Sequence, residues 1–169
     1  ITVIFPDHQM QILAYNRVVK DLNGLSQDEF LVKLFDVFEF KDEGQPQTKK
    51  ELALYLDGKW QRLRFKSDYT RGDTAEDSID VALLQRHVLT PLLGIDDSRT
   101  SSRIDFVGGI RGSEELEKRV DEQGWACAFS MHPTSIADLL AVADGGGLMP
   151  PKSTWFEPKL RDGLFCHNL

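Results

Sequence analysis

Apolar residues recur along this chain at two spacings, one typical of helices and the other of strands. After a capping box formed by Ser26 and Glu29, they return every three or four residues, which predicts a helix over 27–35 and then a strand near 36–40. A longer stripe of the same kind predicts a second helix over 79–93. Both helices have one apolar face, and we therefore expect them to pack against a sheet.

Turn-forming residues between short apolar runs predict two hairpins in the first half of the chain. One joins residues 2–5 to residues 11–15. The other joins 52–56 to 59–65 through Asp57-Gly58, a pair that suits a type I′ turn because both central residues need positive φ. The second hairpin has the stronger local signal of the two.

The second half of the chain alternates between strand and helix patterns. We expect strands over 103–107, 125–131 and 164–167, and helices over 114–122 and 135–143. Together with the hairpins, these elements predict an α+β fold with a mixed β-sheet and about four helices packed on it. The whole chain, residues 1–169, is predicted to form one domain that is a fragment of a longer protein.

Composition excludes several classes of function. The chain has 41% hydrophobic and 28% charged residues, as in ordinary globular proteins, and a net charge of -7. Its acidity argues against direct binding of nucleic acid, which needs a basic surface. No apolar run reaches the roughly 20 residues needed to span a bilayer, so we expect no membrane partner. No leader sequence is recognisable, and we predict a cytoplasmic location.

Cysteine usage agrees with a reducing compartment. Cys127 and Cys166 lie in apolar, strand-like contexts and are expected to be reduced core thiols. A metal site would need both cysteines to converge with His132 and His167, but neither a CxxC nor an HxxxH spacing is present. The sequence therefore predicts no metal. It contains no recognisable Ser-His-Asp or Cys-His constellation and assigns no catalytic residue.

The stretch MPPKSTWFEPK, residues 149–159, carries the strongest candidate chemistry, and we call it the proline-rich loop. Prolines restrict its backbone, and a stiff loop rich in donors is suited to holding a ligand or a neighbouring domain. Phosphate or carboxylate ligands are the expected partners of its polar side chains, namely Lys152, Ser153, Thr154 and Lys159. Alternatively, Lys152 pairs with Glu157 while Trp155 and Phe156 pin the loop to the core.

Three further candidates lie next to predicted strands. His132 and Thr134 stand between a buried strand and a helix, where an anion would meet free N–H groups, although Thr134 also suits a simple helix cap. Gly108-Gly109 ends another strand, either for close approach of a ligand or of backbone or for a turn with positive φ. Arg17 follows a strand and is expected to bind a carboxylate or phosphate, or to pair with an acid such as Asp21.

Several segments resemble a known family. These segments are YNRVVKDL (15–22), YLDGKW (55–60), RIDFVGG (103–109), HPT (132–134) and residues 149–164. They are similar, in the same order, to the bacterial and archaeal domain-of-unknown-function family ten-fifteen, often labelled SerC-like. The resemblance covers essentially the whole chain, and its most specific part is MPPKST.

The resemblance implies that this chain is the C-terminal half of a longer protein. The N-terminal half of the family carries an Asp-Gly-His-His-Arg signature similar to that of ParB-like proteins, some of which are free-serine kinases. By this analogy the full-length protein binds a nucleotide and phosphorylates serine or a similar small metabolite. No His-His-Arg occurs in this chain, so the clearest candidate catalytic motif of the family is absent from it.

Two functions remain open from the sequence. In the first, this chain is the phosphate- or metabolite-binding half of a phosphotransferase related to serine metabolism, and its catalysis needs the N-terminal half as a partner. This hypothesis requires the candidate side chains to converge in one pocket. In the second, the chain is a non-catalytic module. It either senses a metabolite, regulates or associates with DNA through its partner half, or it has a purely structural role with the proline-rich loop as a buttress.

Overall fold

The computed structural model describes residues 4, 6–72 and 74–159, which form an α+β fold. The strands are β1 (Gln11–Leu13), β2 (Tyr15–Val19), β3 (Phe38–Phe40), β4 (Glu51–Leu56), β5 (Lys59–Phe65), β6 (Ile104–Gly108), β7 (Cys127–Met131) and β8 (Trp155–Glu157). The helices are α1 (Gln27–Val37), α2 (Asp80–Leu84), α3 (Glu114–Gln123) and α4 (Ile136–Asp144), and a π-helical turn, Gln85–Leu89, continues α2. Within the described part of the chain, no helix combines the length and apolar character needed to cross a membrane.

Six strands form one sheet in the order β3-β5-β4-β7-β2-β6, and β1 pairs with β8 in a separate two-stranded ladder. All these neighbouring strands are antiparallel. Since β2 lies between β6 and β7 and runs against both, the last residues of β6 and β7 meet the first residues of β2 at one end of the sheet. We call this the site end.

The two faces of the sheet bury different apolar clusters. One face packs against α1, α2 and the π-helical turn, and includes Phe30, Leu34 and Leu84, all fully buried. The other packs against α3 through a smaller cluster around Val18 and Leu116. Because side chains alternate along a strand, neighbouring residues of β2 face opposite sides of the sheet.

Most of the predicted elements are confirmed. The α+β class holds, and α1 begins at the predicted capping box, in which Ser26 Oγ accepts a hydrogen bond from the Glu29 amide. The β4–β5 hairpin turns through Asp57 (φ 51°) and Gly58 (φ 74°), as a type I′ turn requires. The predicted central strand is β7, and all five of its residues are buried.

Other predictions differ from the structure or fall on residues that it does not describe. β1 pairs with β8. The predicted hairpin between 2–5 and 11–15 includes residues 2, 3 and 5, which lie outside the described residues, as does the predicted strand 164–167. The segment 16–19, which had no predicted structure, belongs to β2, a strand buried between β6 and β7. The helix predicted over 79–93 changes to a π-helical turn after Leu84.

Candidate functional site

A cleft of about 300 Å³ opens at the site end, on the face of the sheet that carries α2. Arg17 of β2 and Phe106 of β6 stand opposite each other in the sheet register and form its floor. Val81 and the π-helical turn form one wall, and Pro150 and Pro151 of the proline-rich loop form another. The polar segment 96–99 (Asp-Asp-Ser-Arg) also lines the cleft.

Arg17 is the most unusual group in this cleft. Its side chain is only 2% exposed, and within the described residues no carboxylate lies within salt-bridge distance of its guanidinium. Nη2 donates to the carbonyl oxygen of Lys152 at 3.0 Å, and Nη1 donates to that of Tyr15. Burial lowers the pKa of Arg17 to about 10, which still leaves it charged at neutral pH. The sequence placed Arg17 after a strand, whereas it lies inside β2.

Hydrogen bonds from side chains to backbone hold the proline-rich loop in place. Besides the bond from Arg17, Thr134 Oγ1 donates to the carbonyl oxygen of Ser153 at 3.1 Å. Ser153 is buried, and its hydroxyl donates to the carbonyl oxygen of Pro150. Three of the predicted site residues, Arg17, Thr134 and Ser153, therefore lie close together. Their hydrogen bonds go to backbone oxygens of the proline-rich loop and hold the loop in position.

The two lysines of the loop lie over aromatic rings. Lys152 is exposed and adopts a φ of 55°, and its Nζ is 5.4 Å from the centre of the Tyr15 ring. Lys159 Nζ is 4.3 Å from the centre of the Trp155 ring. Glu157 accepts a hydrogen bond from Trp155 Nε1 at 2.6 Å, so the alternative of a Lys152–Glu157 pair is not what the structure contains. Neither lysine, nor Thr154, lines the cleft.

Trp155 fixes the loop to the end of β6. A Cβ added to Gly108 would lie 2.4 Å from Trp155 Cε3, and one added to Gly109 would lie 2.8 Å from the carbonyl oxygen of Ala14. Gly108 has a φ of −61°, and neither glycine has positive φ. Of the two explanations for this pair, close approach is therefore correct and a turn with positive φ is wrong. The atoms that approach are an aromatic ring and backbone.

His132 and Thr134 line a second and much smaller cleft of about 20 Å³ beside Lys50 and Asp80. Burial raises the pKa of the Asp80 carboxyl, which accepts a hydrogen bond from the Lys50 amide at 3.0 Å. His132 Nδ1 is buried and has no hydrogen-bond partner within the described residues. A cavity of this size and polarity suits one ordered water.

The cap of α4 is Ser135 rather than Thr134. Ser135 Oγ accepts a hydrogen bond from the Asp138 amide at 3.1 Å, and the Asp138 carboxylate accepts one from the Ser135 amide. This capping box uses Asp where the usual pattern has Glu or Gln, and that is why the pattern did not reveal it. Thr134 is free to hold the proline-rich loop instead.

The sequence also missed several residues that line the Arg17 cleft. Gln85 joins two of its walls by donating to the carbonyl oxygen of Ile95 at 2.6 Å. Asp97 and Arg99 pair with each other at 2.8 Å. The only sequence signal for Asp97 and Arg99 was a run of polar residues after the end of a helix. Such runs are common in loops and do not indicate a binding site.

The thiol and metal predictions can be compared with the described residues only. Cys127 is buried and free, and burial raises its pKa to about 12. Cys166 and His167 lie outside the described residues. In the ranges 6–72 and 74–159, no group of three or more His, Cys, Asp or Glu side chains is arranged to hold a metal.

The sequence of the chain identifies its family. A model of DUF1015, described as a protein of unknown function, matches residues 1–86, which is about half of the chain. The chain belongs to the DUF1015 family. The match includes Arg17, Val81 and Gln85 of the cleft, and it ends before the proline-rich loop. No curated protein matches the chain.

Solved structures with a similar fold include a free serine kinase in complex with AMP and two single-residue mutants of such a kinase, also with AMP. Each is 12% identical to this chain and covers 88% of it, with TM-scores of 0.49 for the unaltered kinase, 0.49 for one mutant and 0.50 for the other. At this identity the likeness concerns the fold alone. The chain spans 54% of the length of each of these structures.

Proposed function

We propose that this DUF1015 chain supplies the anion-binding cleft of a small-metabolite phosphotransferase, and that Arg17 receives the phosphate or carboxylate of the ligand. One observation carries the proposal, namely a buried guanidinium that has no carboxylate within salt-bridge distance among the described residues. Burying an unpaired charge is costly, and a ligand anion would supply the missing partner. Arginine suits this role because its planar fork matches both carboxylate and phosphate.

The walls of the cleft fit a small metabolite. Its volume of about 300 Å³ is at the lower limit of ordinary ligand pockets. Phe106, Leu89 and the two prolines provide apolar contacts. Ser98, Arg99 and two carboxylates, Asp96 and Asp97, provide the polar lining, and Asp97 is paired with Arg99. A water-poor environment strengthens the attraction between Arg17 and an anion. We therefore expect a compact, singly or doubly charged ligand.

Phosphoryl transfer depends mainly on positioning and on stabilisation of charge, which is what a buried arginine provides. The proposal assigns only the binding of the anion to this chain. It leaves the transfer step to the N-terminal half that the family resemblance implies, which would also bind the nucleotide. Serine and adenine nucleotides are the first ligands to test, because the solved structures of similar fold are of a free serine kinase with AMP.

A specific observation also favours the second candidate, a structural or regulatory module. Arg17 and Thr134 both donate to backbone oxygens of the proline-rich loop. If those bonds are their whole role, Arg17 braces the loop and the cleft binds nothing. The two candidates differ in whether a ligand contacts the guanidinium.

The experiment is a thermal-shift and calorimetric titration of the 169-residue chain with ATP, ADP, pyrophosphate, serine and phosphoserine. We expect at least one of these ligands to raise Tm. Arg17→Lys keeps the positive charge but loses the fork, and it should weaken binding of that ligand about tenfold. Lys152→Ala is the matched control, since its ammonium lies over Tyr15 outside the cleft, and it should bind as the wild type does.

Arg99→Ala keeps the test decisive if Arg17→Lys fails to fold. Arg99 is exposed at the cleft and pairs only with its neighbour Asp97 among the described residues, so its loss should weaken an anionic ligand severalfold without unfolding the chain. The proposal would be rejected if the wild type bound none of the ligands, or if the wild type, Arg17→Lys and Arg99→Ala bound them equally. The structural role of Arg17 in holding the proline-rich loop would then be the remaining explanation.

A further inference from the structure

A third cleft, of about 250 Å³, lies at the site end on the opposite face of the sheet from Arg17. It is lined by Asn16 of β2, Ser130 of β7, and the segment that joins β6 to α3, including Gly109, Gly112 and Ser113. Arg17 and Asn16 are consecutive residues of one strand, so their side chains face opposite sides of the sheet. The two clefts are therefore separate sites.

The first element of this cleft is the beginning of α3. Ser113 is the N-cap residue of this ten-residue helix, but its side chain makes no capping hydrogen bond. The first N–H groups of a helix have no partner within the helix, and they carry a partial positive charge. Because Gly112 and Ser113 line the cleft, it lies at the N-terminal end of the helix, where these groups are found.

The second element is the Ser130 hydroxyl, which is independent of the helix. Ser130 lies in the middle of the sheet and is 7% exposed, yet its hydroxyl has no hydrogen-bond partner within the described residues. The hydroxyl oxygen is not fully enclosed by protein, and it opens into the cleft, where a ligand can reach it. A ligand in the cleft would provide the missing acceptor.

Asn16 adds a third donor. Its side-chain Oδ1 accepts a hydrogen bond from the Met131 amide at 3.0 Å, which fixes the orientation of the side chain. With Oδ1 bonded in this way, the NH₂ group is the part of Asn16 that remains to serve a ligand. Asn16 is 4% exposed and lines the cleft, so this donor is held rigidly.

We propose that this cleft binds a phosphate group, either free or as the end of a phosphate ester. The order strand, glycine-containing loop and helix N-terminus is a common architecture for binding phosphate. Here Gly109 and Gly112 lie between β6 and α3, and Gly112 has a φ of 70° with nothing within 4 Å of an added Cβ. Only neutral residues line the cleft, so hydrogen bonds and the helix dipole would hold the anion.

Three carboxylates in the first turn of α3 oppose an anion, and one of them is paired with a cation. Glu115 pairs with Arg119 at 3.0 Å, and Glu117 accepts a hydrogen bond from Trp60 Nε1 at 2.6 Å. Glu114 is exposed and has no such partner in the described part of the chain. Its removal should therefore tighten the binding of phosphate.

The test is a titration of the isotope-labelled 169-residue chain with inorganic phosphate and, separately, with AMP, followed through the backbone amide resonances. We expect saturable shifts at residues 112–115. Ser130→Ala should weaken phosphate about tenfold, since it removes a hydrogen bond to a charged group, and should leave Tm without phosphate unchanged or slightly higher. Glu114→Gln should strengthen binding about twofold. Tighter binding of AMP would identify an ester as the ligand, and equal binding would identify free phosphate.

Ser98→Ala is the matched control, because it removes a hydroxyl from the Arg17 cleft and leaves this one intact. Three outcomes would overturn the proposal, namely no saturable shift at residues 112–115, shifts that persist unchanged in Ser130→Ala, or a Tm of Ser130→Ala several degrees below wild type. Arg17→Lys should not change these shifts, so a failure here and a failure of the Arg17 cleft are distinguishable.

Discussion

The half of the molecule built on α1 and the β3–β5 strands differs from the site end in what holds it together. The first region joins elements that are neighbours in sequence, and it buries apolar side chains such as Phe30 and Leu63 completely. At the site end, β1 and β2 contact the proline-rich loop, which is more than 130 residues away in sequence. Polar side chains such as Arg17 and Thr134 hold this loop through hydrogen bonds to its backbone. Burial of apolar side chains stabilises the α1 region, whereas individual hydrogen bonds hold the site end together.

This difference predicts where each region is vulnerable. Apolar burial scales with area and tolerates substitutions that conserve volume. A hydrogen bond from a side chain to a backbone carbonyl is lost when the donor is removed, and the carbonyl then remains buried without a partner, which is costly. We therefore expect the α1 region to set the stability of the fold, and the site end to set the geometry of the Arg17 cleft.

The largest expected effect is in the α1 region. Phe30 is fully buried, and Phe30→Ala should lower the free energy of unfolding by about 3–5 kcal/mol, from lost burial and from the cavity left behind. Phe35 of the same helix is 52% exposed and stacks on Phe40, so Phe35→Ala is the matched control and should cost about 1 kcal/mol. Urea denaturation followed by circular dichroism measures both.

Equal losses for the two phenylalanines would contradict the assignment of the core to this face of the sheet. A loss below about 1 kcal/mol for Phe30→Ala would do the same, since truncation in a packed core always costs more.

The next largest effect is at the joint between β6 and the proline-rich loop. Gly108→Ala places a methyl group 2.4 Å from the Trp155 ring, so the ring and the loop must move. Overpacking of this kind should cost about 1–3 kcal/mol and should widen the Arg17 cleft, because the same loop forms one of its walls. Urea denaturation measures the cost, and a change in tryptophan emission that is absent in the Trp155→Ala background reports the movement of the loop.

A double-mutant cycle sharpens this result. Gly108→Ala in a Trp155→Ala background should cost far less than in the wild type, because the clashing ring is absent. Gly124, which has positive φ and free space around it, offers a contrast, since Gly124→Ala should destabilise through backbone strain whether or not Trp155 is present. Additive costs for Gly108→Ala and Trp155→Ala would show that the ring does not press on β6.

The same contrast explains which parts could be predicted from the sequence. α1 and the β4–β5 hairpin follow from local signals at Ser26, Glu29 and Asp57-Gly58, whose partners lie within a few residues. The pairing of β1 with β8 and the bond from Arg17 to Lys152 depend on chain closure over 135 residues or more, for which no local pattern exists. The sequence could therefore name candidate residues, whose binding roles stay predictions, but it could not show which contacts each of them makes.

The smallest expected effect concerns helix capping, which occurs in both regions. Ser26 caps α1 and Ser135 caps α4, each through a capping box. Ser26→Ala should cost about 1 kcal/mol, and Ser135→Ala a similar amount. Because α1 belongs to the main core and α4 buries only Val142, Ser26→Ala should lower the stability of the whole fold, whereas Ser135→Ala should mainly increase hydrogen exchange within α4.

The pH dependence of stability gives an independent check on the capping box of α1. The hydrogen bond from the Ser26 amide holds the pKa of Glu29 below its ordinary value of 4.5. Folding thus favours the charged form, so this contribution is present above about pH 4.5 and is lost as the pH falls through the lower native pKa. The stability difference between wild type and Glu29→Gln, measured by urea denaturation, should therefore be constant near neutral pH and shrink in acid. A difference that persists unchanged down to the acid transition would show that the carboxylate of Glu29 does not cap α1.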